Sequence, residues 1–512
     1  MTTAALSLFR SLLIYSICVP LALILGYMMA TPYDINTFAV VGSVLFFLLI
    51  PLLLRWHHPW LIASWNMSVV LFFLPGHPLL WLALAWISLL IGIIQYALNR
   101  KNKFLYVPEV TKPLILMILI TLITAIFRGG FGVQSLGSDT LGGKRYFIIL
   151  TSIIGYFAIT SQRIPAKRVP LYVALYFLTG ATMAIGELAV VASPSSYFLF
   201  MIFPIGSAGL QAVAPDPSVR GFSLRLTGLA SAGSSLYLLM LCRYGIAEIF
   251  SWRRVWRCLF FFSFLFVAML GGFRSVLILF LLTFCILFYL EGLFRSPLLP
   301  IFLLLAVFGG AAIIPLADRL PLAVQRSLSF LPLPVDPLVK AGAEASTEWR
   351  LQMWQHVLPE VPEYLFLGKG YAFTAKDFAL TRLAGADQAG TEGAELAGDY
   401  HNGPLSVILP FGVPGAIAFI WFLFAASKVL RQNYLFGDQS FRRVNTFLLA
   451  SFIAKGIFFF SIFGSLYSDL PAFIGLVALS ISINGGVSKP AVVPEPKLVL
   501  NRFRLQPPLQ AV

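Results

Sequence analysis

The sequence predicts an all-α polytopic membrane protein of about 12–14 transmembrane helices, interrupted by one large outer loop of short helices. Three observations carry this prediction. Of the 512 residues, 59 % are hydrophobic and 11 % charged, where a soluble chain carries about a quarter charged residues. The apolar residues fall into runs that approach the roughly 20 residues a helix needs to cross a bilayer. Lys and Arg, the source of the net charge of +15, sit in short clusters between those runs and form no stripe with stacking aromatics. Such clusters orient membrane proteins, so the basic balance points to membrane lipids and away from nucleic acid.

Taken in order, the candidate spans are 10–30, 37–54, 59–75, 79–98, 112–127, 146–161, 169–191, 227–247, 256–272, 275–290, 298–315, 404–426, 444–463 and 470–485. Arg10 precedes the first run, but that run is too long for a signal-peptide core and no small-residue cleavage site follows it. It reads as a retained span. The runs starting at 59 and 256 are short or closely spaced. With these crossings Arg55, the basic cluster at 99–103, Arg163, Lys167, Arg168, Arg253, Arg254, Arg257 and Arg295 share one side with Lys428, Arg431, Arg442 and Arg443. The positive-inside rule makes that side, and both termini, cytoplasmic. The chain divides into spans at 1–315 (about eleven), a large outer loop at 316–403, spans at 404–485 (about three) and a flexible tail at 486–512. The tail is rich in Pro and basic residues and has no apolar period.

Several chemistries find no motif. Cys18, Cys242, Cys258 and Cys285 lie inside apolar runs and act as small hydrophobes. No phosphate-cradling loop, His-Glu-x-x-His or nucleophile elbow is present, which leaves no expected cofactor or metal site.

Candidate chemistry gathers on the outer side. Outer loops at 128–145, 192–227 and 316–403 are long, and the last holds about half the acidic residues. Arg128 opens the first. Arg220 and Arg225 flank Gly221-Phe222-Ser223-Leu224 before the eighth span, whose small residues Gly228 to Ser234 allow close helix approach. Arg274 sits in the tight turn Gly271-Gly272-Phe273-Arg274-Ser275. In the large loop Arg350 and Trp354 share one face of a helix that Ser346 or Thr347 can cap. His401 in Asp399-Tyr400-His401-Asn402-Gly403 meets the twelfth span, where a neutral histidine suits general-base work. Each has a plainer reading: an arginine snorkelling to headgroups, a surface helix, an ordinary juxtamembrane histidine. Arginines also pair bidentately with phosphate oxygens.

In that order these residues resemble the O-antigen ligase and polymerase family. The pattern comprises Arg225 with Gly228, Arg274 in an outer hairpin, Arg350 with Trp354, Gly368 with Gly370, and His401-Asn402 followed by Gly412-Val413-Pro414-Gly415. It covers roughly 220–430, and the hairpin reads Gly-Phe-Arg-Ser where relatives show Ser-Arg. The resemblance implies metal-independent transfer of a glycan from a polyprenyl diphosphate carrier to a lipid or glycan acceptor. The reaction would run at the periplasmic face of a bacterial inner membrane. It implies Arg225 and Arg274 on the diphosphate, His401 as base, and Arg350, Arg220, Asn402, Trp354 and Arg128 as substrate contacts. Ligase and polymerase share these residues. A flippase of lipid-linked sugars is the alternative of another class, for which Glu187, Arg243 and Lys455 are the few candidate midplane charges.

Overall fold

The computed structural model describes residues 15–16, 18–23, 26, 35–74, 76–98, 104–132, 140–205, 225–374 and 398–490. Arg220, most of the first apolar run, the basic cluster at 99–103 and the tail beyond 490 lie outside the described residues. The fold is all-α and polytopic. Helices α1 (Ile35–Ser64), α2 (Leu80–Leu98), α3 (Pro108–Arg128), α4 (Gly143–Ile159), α5 (Ala166–Ala192), α6 (Thr227–Ile249), α7 (Val255–Met269), α8 (Arg274–Leu290) and α9 (Leu298–Arg319) come first. Two loop helices follow, α10 (Leu322–Leu328) and α11 (Pro337–Val357), and then α12 (Gly403–Phe436), α13 (Arg442–Ser461) and α14 (Leu466–Asn484). Seven of the described helices are long and apolar enough to cross a membrane, and α8 is a shorter apolar helix. α14 is the most deeply packed of the seven, 78 % of its apolar window being buried, so the core lies around it.

The bundle has two distinct ends. At one, the basic loops are tied together: Ile164 N donates to Ser482 O (2.9 Å), Arg443 pairs with Glu248, and Tyr434 donates to Leu290 O (3.0 Å). At the other, Leu226 N donates to Gly271 O (3.1 Å) and Leu466 N to Ser406 Oγ (3.0 Å), beside the large loop. Basic loops and large loop therefore occupy opposite ends, as the charge pattern requires.

Two expectations need correction. The run 59–75 is not a helical span. α1 breaks at Trp56 (φ −127°, ψ 17°), and after Ser64 the chain runs through turns to a single bridge, Val70 with Leu79. The polar groups here bond to α5 and not to a helix of their own: Asn66 donates to Tyr176 O (2.7 Å) and Ser68 N to Thr182 Oγ1 (3.1 Å). The tail also starts later than 486. Gly485 ends α14 in the left-handed region (φ 71°), Gly486 N caps Ile481 O (2.9 Å), and Ser488 N donates to Asn433 Oδ1 (2.8 Å). α9 stands apart: none of its apolar window is buried. Phe302 joins it to the bundle, against Phe250, Phe284 and Phe288 at 4.7, 5.3 and 5.7 Å between ring centroids.

The large loop docks on a defect in α12. Pro410, Gly412 (φ 65°, ψ −167°) and Pro414 break the helix, because Pro414 has no N–H to give and Gly412 takes a conformation that side chains disfavour. The loop satisfies the orphaned groups. Lys369 N donates to Leu409 O (2.7 Å), Gly370 N to Pro410 O (3.1 Å), and Val413 N to Leu365 O (2.7 Å). Gly368 and Gly370 are left-handed too (φ 77° and 74°). A Cβ on Gly368 would lie 2.2 Å from Pro410 O, so only glycine fits. Two further ties fix the loop: Tyr371 N donates to Tyr146 Oη (2.8 Å), and β1 (Thr140–Leu141) pairs antiparallel with β2 (Phe373–Thr374).

Candidate active site

α11 organises the site. Asp336 caps it by accepting from Leu338 N (2.8 Å), and Ala343, Ser346, Thr347 and Arg350 recur every three or four residues, which puts them on one face. That face receives arginines from elsewhere in the chain. Arg225, just before α6, donates to Ser346 Oγ (3.2 Å). Arg274, the first residue of α8, donates to Ala343 O (3.1 Å) and Thr347 Oγ1 (3.4 Å). Arg350 belongs to α11 itself and lies over the ring of Phe463 (5.7 Å).

Local chemistry explains the placement of Arg225. Glu187 on α5 accepts from Gly228 N (2.7 Å), Leu229 N (3.1 Å) and Thr227 Oγ1 (3.1 Å). A carboxylate at a helix N-terminus satisfies orphan amides and complements the dipole. A Cβ at Gly228 would lie 2.5 Å from Met183 O, so the Arg-Leu-Thr-Gly spacing allows α6 to start against α5 with Arg225 projecting beyond it.

The arginines are electrostatically uncomfortable. Burial, together with the charge of Arg274, lowers the pKa of Arg225. Burial and the charges of Arg274 and Arg225 lower that of Arg350. Among the described residues none of Arg225, Arg274 and Arg350 has a carboxylate within 4 Å, and Arg350 Nε is buried without a partner. Like charges gathered without a counter-charge favour binding an anion.

His401 is next to them. It is one of two non-glycine residues with positive φ (52°) among the described residues, a strained conformation held by its surroundings. Trp354 Nε1 donates to Tyr400 O (2.8 Å), and the ring packs edge-on against Trp349 (5.3 Å) and Phe463 (5.0 Å). Nδ1 is 2.8 Å from Asp399 O. A carbonyl only accepts, so Nδ1 carries the hydrogen and the neutral ring presents the Nε2 lone pair. Asp399 Oδ1, 3.8 Å from Nδ1, adds a carboxylate behind the ring. Phe463 touches both His401 and Arg350, which places the histidine beside the arginine face of α11.

Other expected residues fall elsewhere. Arg128 holds the loop turn: Nε donates to Gly368 O (2.8 Å) and the guanidinium lies over Tyr364 (5.4 Å). Asn402 caps α12, its Oδ1 accepting from Leu405 N (3.1 Å). Trp354 positions the His401 segment through its indole N–H. Two of the candidate midplane charges are occupied, Glu187 capping α6 and Lys455 pairing with Asp469 (2.6 Å), and Arg243 sits at the basic end, where its carbonyl accepts from Arg443. Cavities of about 630 and 460 Å³, both lined by Lys428, lie at the basic end too, away from the arginines.

One residue escaped the sequence reading. Arg326 on α10 is 7 % exposed, and burial with the charges of Arg225 and Arg274 pushes its pKa down to about 10. No motif surrounds it, and the sequence carries no local signal that sets it apart from the other basic residues of the loop.

No curated protein matches the chain significantly. Residues 258–420, just under a third of its length, match the family model described as O-antigen ligase. That stretch carries Arg274, Arg326, Arg350 and His401, and it is the part of the chain that is similar to O-antigen ligases.

Proposed function

We propose that this protein is a metal-independent ligase that moves a glycan from a polyprenyl diphosphate carrier to an acceptor hydroxyl at the periplasmic face of the bacterial inner membrane. The carrying observation is the meeting on α11 of Arg225, Arg274 and Arg350, none with a carboxylate within 4 Å among the described residues, with His401, whose Nδ1 is held by Asp399 O. In this reading His401 Nε2 takes the proton of the acceptor hydroxyl, and the oxygen bonds to the anomeric carbon. The bond from that carbon to the diphosphate oxygen breaks, and the carrier diphosphate leaves with its electron pair. Arg225, Arg274 and Arg350 stabilise the charge that grows on it, which is where preorganised donors act most strongly. Guanidiniums supply the positive charge that a metal would otherwise provide. A repeat-unit polymerase would use the same groups.

The occupied state of Glu187 and Lys455 supports an enzyme over a flippase, since neither is free to line a path. Surface glycans from cells lacking the gene, compared with a complemented strain, test the proposal. Loss of long glycan from the acceptor with chains accumulating on the carrier is expected. Acceptors bearing a single repeat unit would reassign the protein as a polymerase. An unchanged pattern with no accumulated carrier-linked glycan would exclude both.

A further inference from the structure

We infer that the larger cavity at the basic end binds an anionic phospholipid, with Lys428 and Arg431 holding the phosphodiester and an apolar wall holding the acyl chains. The inference is independent of the proposed reaction, whose residues gather at the opposite end of the bundle.

The cavity, of about 630 Å³, lies between α12, α13 and the end of α8. Both of its charged groups come from α12. Lys428 and Arg431 stand three residues apart and so share a face, and Gln432 adds an amide beside them. Most of the remaining wall is apolar, with Leu449 and Ile453 from α13 and Leu290 from α8.

The two cations are left over by the charge pairing at this end. Their basic neighbours Arg257 and Arg443 both pair with Glu248. Lys428 and Arg431 are exposed, and among the described residues neither has a carboxylate within 4 Å. Lys428 also lines the adjoining cavity of about 460 Å³, where Glu109 is matched by Lys112, so the charge around Lys428 stays positive. A soluble anion would meet the cations and gain nothing from the apolar wall. An uncharged lipid would cover the wall and leave the cations unmatched. An anionic phospholipid satisfies both, because its phosphodiester sits at the depth to which Lys and Arg snorkel and its chains run along the helices.

Purified full-length protein in detergent provides the test, with binding read by native mass spectrometry and stability by thermal unfolding. The probes are phosphatidylglycerol, phosphatidylcholine with the same acyl chains, and soluble glycerol 3-phosphate. Phosphatidylglycerol should bind and stabilise at lower concentration than phosphatidylcholine, and glycerol 3-phosphate should do neither at matched concentration. Lys428→Gln combined with Arg431→Gln should weaken phosphatidylglycerol binding about 30-fold, at about fivefold for each cation near a headgroup. Its lipid-free melting temperature should match the wild type, since neither residue has an ion pair to lose. The charge-preserving exchange of Lys428→Arg with Arg431→Lys should retain the lipid. Arg253→Gln combined with Arg254→Gln removes two exposed cations from a neighbouring loop and should bind as the wild type does.

Equal affinity of the wild type for the two phospholipids would overturn the inference. Phosphatidylglycerol affinity retained without Lys428 and Arg431 would place the lipid elsewhere and overturn it too. An equal loss on removing Arg253 and Arg254 would reduce the preference to the general charge of this end. Glycerol 3-phosphate stabilising as well as the intact lipid would make the cavity a site for soluble phosphate, with no lipid in it.

Discussion

At the scale of single residues, the proposed reaction divides the side chains that would face it from those that hold them. His401→Ala should lower transfer by about 10²- to 10⁴-fold, the range of general-base catalysis, while the protein still inserts and accumulates. Transfer at the wild-type rate by that variant would end the general-base role. Asn402 should behave differently. Its Oδ1 caps α12, so Asn402→Ala should cost about 0.5–2 kcal/mol of stability and leave the rate per folded molecule near wild type, measured below the melting transition. A selective rise in KM would restore it as a sugar contact. Much of this division was illegible in the sequence. Arg128 and Arg274 look alike as outer-face arginines, and only the partners differ: a loop carbonyl for one, the α11 face for the other. Arg326 was invisible because nothing local distinguishes it. Its placement depends on α10 being fastened to α7, a contact across 58 residues.

At the scale of elements, apolar runs marked most helices well, since length and hydropathy alone decide whether a segment suits a bilayer. The 59–75 run misled because hydropathy does not register where backbone groups find partners. Asn66 and Ser68 find theirs on α5, and the chain needs no helix there. The α12 break was visible as Pro and Gly, yet its purpose was not. Gly412→Ala would place a Cβ 2.5 Å from Leu365 O at a φ of 65°, a strain of about 1–3 kcal/mol. We expect the variant to expose the large loop to limited proteolysis and to lose transfer, although every arginine and His401 remain. Unchanged protease resistance would show that the loop does not depend on the break.

At the scale of the molecule, the opposition of basic loops and large loop predicts membrane sidedness. In a background with the four cysteines replaced by Ala, Glu344→Cys on exposed α11 should react with an impermeant maleimide in cells whose outer membrane alone is permeabilised. Trp252→Cys in a basic loop, where Trp252 is 91 % exposed, should react only after the inner membrane is opened. The reverse pattern would invert the topology and put the site in the cytoplasm.

The exchange of backbone hydrogen bonds between the loop and α12 also bears on how such a protein can change. Leu409, Pro410 and Val413 rely on residues 365–370 for partners, and those residues rely on them. Neither segment can be replaced alone without leaving amides or carbonyls unsatisfied. The loop and the broken half of α12 are therefore a single unit of inheritance. Chimeras joined before α10 and after Gly415 should fold, and chimeras cut between Gly370 and Gly412 should fail to fold.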